Sequence, residues 1–160
     1  PPRSTLFPYT TLFRSTDIAK VSRFEKWVRN PEMLARFFHA CEIVPVSDDA
    51  EREKRLHFLS EHYAARFAAK EAFSKALGTG FVGLELSDFG IQKNADGKPE
   101  FAIGQKTAAL LDKRCGINWN VHVSISHEKE FATAFVVIEI HGTDCARGVN
   151  NVHTFFKTRF

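Results

Sequence analysis

Cysteine is scarce in this chain of 160 residues: three, at Cys41, Cys115 and Cys145, odd in number and far apart. No C-x-x-C pair occurs, so neither a disulfide framework nor a cysteine zinc site is indicated, and reduced thiols in a cytoplasmic setting are expected. Long apolar runs are also lacking. None approaches the ~18 residues of a membrane span, and the N-terminus lacks the basic, apolar and small-residue plan of a signal peptide. Charge of one sign is in slight excess only, at net +3. There is no concentrated basic stripe of the kind polynucleotides select, so nucleic acid is not an expected partner. A mildly basic chain suits an anionic small molecule or an acidic protein surface. Trp and Tyr are rare, two each, and the aromatic content is instead sixteen Phe. The length suits one domain with a real core.

The first fifteen residues read unlike the rest. Thr5-Leu6-Phe7 recurs as Thr11-Leu12-Phe13, no acidic residue occurs, and no periodicity holds. Residues 1–15 are expected to be a translated adapter or scar outside the fold, the alternative being a strand around residues 10–13. Asp17 is expected to open a helix, as its N-cap, with Ile18, Val21 and Val28 on one side and Lys20, Arg23 and Lys26 on another. A second helix should run from Pro31 to Phe38, and a third, in two parts, from Glu51 to Leu77, closed by Gly78. Beyond it the period changes to two. Phe89 and Ile91 pair across a turn at residues 94–97 with residues 99–103, a short helix covers 107–114, and residues 121–126 and 131–140 form a last hairpin. The fold expected is α+β, an antiparallel sheet of hairpins packed with a long central helix, over residues 16–141. Residues 142–160 carry no readable pattern.

On a helical wheel, residues 63–77 do not make a surface helix. Tyr63, Phe67, Phe73 and Leu77 share an arc that also holds Arg66 and Lys70, and the opposite arc is almost wholly alanine. Such a helix is covered on most sides and carries cations and the carboxylate of Glu71 inward. Buried charges require partners, which points to an anionic ligand or a metal. A plain Glu71–Lys75 pair at i,i+4 is the competing explanation.

The run Arg66-Phe67-Ala68-Ala69-Lys70-Glu71-Ala72-Phe73-Ser74-Lys75-Ala76-Leu77-Gly78-Thr79-Gly80 resembles the signature of the holo-acyl-carrier-protein synthases, the short bacterial-type 4′-phosphopantetheinyl transferases. Thr16-Asp17-Ile18 with Arg23, then Asp96-Gly97-Lys98-Pro99, then His122-Val123-Ser124-Ile125-Ser126-His127 resemble further family segments in the right order. Three departures stand out. The family's Gly-Ile-Gly first strand is replaced by the unusual leader, residues 41–53 are longer than usual, and nothing after Ile140 matches.

The resemblance implies a transferase that moves the 4′-phosphopantetheine arm of coenzyme A onto a serine of an apo-acyl-carrier protein. It implies Mg2+ held by Asp17 and Glu71, with Lys75 as a further catalytic group. Arg66, Lys75, Gly78 and His127 would contact coenzyme A, and Lys20, Arg23 and Lys26 would dock the acidic carrier. It also implies a homotrimer with sites shared between subunits, and the alanine arc is consistent with packing on all sides. Magnesium suits such a reaction because one or two carboxylates, waters and substrate phosphates complete its six-fold shell. Two other classes remain open on the sequence, a nucleotide- or nucleic-acid-binding module and an inactive, truncated family member. Asp88-Phe89-Gly90 spells a kinase triplet, but no glycine-rich or catalytic loop precedes it.

Overall fold

A computed structural model describes residues 10–141. The unassigned tail, 142–160, lies outside the described residues, as do residues 1–9. The main sheet has three antiparallel strands in the order β1-β5-β4, where β1 is Thr10–Lys20, β4 is Trp119–His127 and β5 is Phe131–His141. A second, two-stranded sheet pairs β2 (Phe89–Lys93) with β3 (Pro99–Ile103). Between them in sequence lie α1 (Glu25–Val28), α2 (Pro31–Phe37), α3 (Asp49–Lys54), α4 (Leu56–Leu77) and α5 (Gln105–Cys115). The architecture is α+β, with α4 laid across β1 and β5.

The largest correction concerns the start of the chain. Residues 10–15 do not stand outside the fold. They form the first half of β1 and pair with β5 from Thr10↔His141 to Ser15↔Val136. Asp17 is therefore a strand residue opposite Ala134 and caps no helix. The reason is the period. Phe13, Ser15, Asp17 and Ala19 turn towards α4, while Leu12, Arg14, Thr16 and Ile18 face outward, Ile18 being 62% exposed. A 3.6-residue reading would have buried Ile18. The backbone of β5 supplies the partners that no local pattern reveals. The helical reading is recovered only after Lys20, as a 3-10 turn at Val21–Phe24 and then α1. Lys20, Arg23 and Lys26 are all exposed but sit on three successive pieces of backbone, not on one helix.

The other elements fall close to expectation. Asn30 caps α2, accepting from the Met33 N–H at 3.1 Å, with Pro31 in the first turn. The two-part helix breaks at Arg55. Gly78 ends α4 at φ 77°, where its N–H and that of Thr79 return to Lys75 and Ser74, a left-handed cap that favours glycine. Asp88 of the kinase-like triplet caps α5, accepting from the N–H and hydroxyl of Thr107 at 2.7 and 2.8 Å.

The phenylalanines assemble the core. Phe73 meets Phe89 and Phe101 at 4.9 and 5.2 Å between ring centres, and Phe24, Trp27 and Phe67 form a second cluster. The alanine arc of α4 is spent inside the subunit. Ala64, Ala68, Ala69 and Ala72 are fully buried, so it offers no surface to a second copy.

Candidate active site

α4 carries three separate charged arrangements, and the sequence distinguishes them poorly. Lys70 has no exposure at all. Its Nζ lies 2.9 Å from Glu42 Oε2 and donates to the carbonyls of Leu86 and Phe89. Glu42 in turn accepts from the backbone N–H of His39 and of Ile91. The anion that Lys70 demanded is thus a side chain of the same protein, and Lys70 is structural. Glu42 was not anticipated, although a carboxylate within the apolar run Cys-Glu-Ile-Val is the signal that could have found it.

The second arrangement is the pair Asp17 and Glu71. β1 brings Asp17 to the face of the sheet that α4 covers, and the C-terminal half of α4 presents Glu71 and Lys75 to it. Lys75 Nζ donates to Asp17 Oδ1, and the Asp17 side chain is 8% exposed against 52% for Lys75. The Asp17 carboxylate raises the affinity of Lys75 for its proton. The Glu71 carboxyl is pushed up to about 7, first by burial and then by its hydrogen bond with, and repulsion from, Asp17. Asp17 Oδ2 is buried with no donor among the described residues. These observations agree when the protonation state is named. With both groups ionised two carboxylates face each other, whereas a proton on Glu71 turns the repulsion into a hydrogen bond with Asp17.

A divalent cation would satisfy the same pair by supplying positive charge between the two carboxylates. The residues present therefore fit a Mg2+ held by Asp17 and Glu71. Among the described residues no group of three or more His, Cys, Asp or Glu side chains gathers, so most of its six positions would fall to waters and substrate oxygens, the usual habit of magnesium.

The third arrangement lies elsewhere on the helix. Arg66 donates through Nη1 to the His62 carbonyl at 3.2 Å, has a buried Nε with no partner among the described residues, and feels the carboxylate of Glu42, which is also the partner of Lys70. His127, the last residue of β4, puts Nδ1 4.0 Å from Glu61 Oε1 near the other end of α4. Glu61 and Glu71 are ten residues apart, about 15 Å of helix rise. One chain thus brings together Asp17, Glu71 and Lys75, with Gly78 closing the same end of α4. Arg66 and His127 do not join that group.

The family described as the 4′-phosphopantetheinyl transferase superfamily matches residues 16–136. The holo-[acyl-carrier-protein] synthase of Treponema pallidum is 42% identical over 123 residues, 77% of this chain and 91% of that protein. A holo-(acyl-carrier-protein) synthase from Bacillus anthracis, solved in complex with CoA (3′,5′-ADP), superposes with a TM-score of 0.60 at 32% identity, covering 82% of this chain and 99% of that one. The holo-[acyl-carrier-protein] synthase of Helicobacter pylori in complex with coenzyme A gives 0.59 at 32% identity over 78% of this chain and 98% of that one.

Proposed function

This chain belongs to the 4′-phosphopantetheinyl transferase superfamily, and from that premise we propose that it acts as a holo-[acyl-carrier-protein] synthase. It transfers 4′-phosphopantetheine from coenzyme A to a serine of apo-acyl-carrier protein, releasing 3′,5′-ADP. The serine oxygen gives up its proton to solvent and bonds to the β-phosphorus of coenzyme A, and the bond from that phosphorus to the oxygen of the departing 3′,5′-ADP breaks. The observation that carries this reading is the meeting of Asp17, Glu71 and Lys75 at one end of α4 in a chain so similar to these synthases.

Asp17 and Glu71 would hold Mg2+, which when bound supplies positive charge to a pyrophosphate approached by a nucleophile. Lys75 fixes the orientation of Asp17 and, being half exposed, can turn its ammonium to a phosphate oxygen. Gly78 leaves backbone approachable at the end of α4, since nothing lies within 4 Å of where a Cβ would be. Arg66 and His127 are the further coenzyme A contacts, and Lys20, Arg23 and Lys26 the docking residues for an acidic carrier helix, where opposite fields speed encounter.

A homotrimer with shared sites is part of the proposal. What supports it is the separation of Arg66 and His127 from the Asp17 group within one chain. The outer face of the main sheet supports it too, exposing Leu12 by 49%, Phe131 by 44% and Phe135 by 46% beside Ile18. Among the described residues two thiols are free, Cys41 exposed and Cys115 buried, and no helix is long and apolar enough to cross a membrane. A place in fatty acid biosynthesis in the cytoplasm is part of the same proposal. Incubation with coenzyme A, Mg2+ and apo-acyl-carrier protein tests the function. The carrier gains the mass of phosphopantetheine, and a carrier of unchanged mass would refute the reading.

A further inference from the structure

The carboxylate of Glu61 belongs to neither the Asp17 pair nor the Lys70 ion pair. Its Oε1 lies 3.3 Å from His57 Nε2, one turn earlier on α4, and 4.0 Å from His127 Nδ1. Its side chain is 19% exposed, whereas the two rings are 52% (His127) and 64% (His57) exposed. The sheet places the His127 side chain on the side of α4, where Glu61 lies. Alternation along β4 sends Val123, Ile125 and His127 to the α4 side, and there Nδ1 is the atom turned to Glu61. Nε2 is left facing away from the carboxylate.

We propose that Glu61 is a positioning residue for His127, orienting its ring and serving as counter-ion to the charged imidazole that binds a phosphate of coenzyme A. The proposal rests on the reading of His127 as a coenzyme A contact. An ionised carboxylate only accepts hydrogen bonds, so once the pair closes to hydrogen-bonding distance the nitrogen facing Glu61 carries a proton. A phosphate oxygen likewise only accepts, so Nε2 must carry one to bind it. A ring held between the two therefore has both N–H groups and is the imidazolium, its second proton drawn from solvent. Glu61 is placed to balance that charge. The present 4.0 Å is an ion-pair separation, and such contacts commonly tighten when ligand engages.

The test is steady-state kinetics against coenzyme A with the isosteric E61Q variant, H127A, their combination, and H57A as control. H127A and E61Q should each raise KM for coenzyme A about tenfold, the loss of one charge-assisted hydrogen bond, with kcat within about twofold. The double variant should be no worse than H127A alone, because Glu61 acts through the ring, and H57A should leave KM unchanged. In the coenzyme A complex, nitrogen NMR should show the His127 ring doubly protonated in the unaltered protein and singly protonated in E61Q. If H127A raises KM and E61Q does not, or if the two effects add, Glu61 has no such role. If H127A itself leaves KM unchanged, the contact reading of His127 fails and takes this proposal with it.

Discussion

At the scale of single residues, the charges on and against α4 separate into those whose partner is inside the protein and those whose partner is missing. Lys70 is complete, with Glu42 and two carbonyls around it. Asp17 is not complete, since one of its oxygens has no donor among the described residues. D17N and E71Q should therefore each lower turnover by about 10²-fold or more while changing the melting temperature little. Near-normal turnover of both variants at limiting magnesium would refute the ligand assignment. The opposite profile is expected of a residue in the structural group. His62 donates Nε2–H to the Glu42 carbonyl at 2.7 Å, and burial, with the charge of Arg66 second, pushes its pKa down from 6.5 to about 4. The folded protein thus holds this ring neutral while the unfolded chain protonates it below about 6.5. Stability is fully present above that pH and falls as pH drops towards 4, by at most about 3 kcal/mol. Denaturant titrations between pH 7 and pH 4 measure the loss, and H62Q, which keeps an amide donor, should flatten it.

At the scale of elements, legibility followed the range of the interactions. α4, its glycine stop and the β2–β3 hairpin are specified within short windows, by helix period, by the φ 77° cap at Gly78 and by the Asn94 side chain, which accepts from the N–H groups of Asp96 and Lys98. β1 is specified by a partner more than a hundred residues away. Its sequence offers Phe13, Asp17 and Ala19 to one face, a pattern that an adapter-like composition and the helix-friendly stretch after it obscured. The candidate site was legible where a residue's type sufficed, as with Glu71 and Lys75. It was not legible where a through-space neighbour decides the role, as with Glu42 beside Lys70 and Glu61 beside His127. The pairing of β1 has a direct consequence. Removing residues 1–15 deletes every register from Thr10↔His141 to Ser15↔Val136 and leaves Asp17 near a free strand end. The shortened protein should melt at lower temperature and turn over more slowly, since a ligand displaced by about 1 Å can cost about 10²-fold. Equal melting temperature and equal turnover in the two forms would show that the first half of β1 is dispensable.

At the scale of the whole molecule, the balance between covered and uncovered apolar surface decides what the subunit does next. One face of the main sheet is closed by α4, with Ala132, Ala134, Val136 and Ile138 of β5 at most 1% exposed. Nothing among the described residues covers the other face. Phe135, opposite Thr16 on β1 and Ser124 on β4, is 46% exposed, and Phe131 and Ile18 extend the same face towards one end of the strands. Exposed aromatic and branched side chains grouped on one sheet face mark an association surface more often than a free one. In the proposed trimer a second copy would supply the Arg66 and His127 that one chain does not bring to its own Asp17. F135K combined with I18K tests the idea, because both side chains point away from the core and their exchange creates no cavity. The double variant should retain its secondary structure, fall from trimeric to monomeric mass in light scattering, and lose transferase activity together with the trimer. KM for coenzyme A should rise as the protein is diluted through its dissociation range, and high protein concentration should restore part of the activity of the single variants. A monomeric mass for the unaltered protein at micromolar concentration, with full activity, would mean that one chain completes its own site and that the exposed face serves no subunit contact.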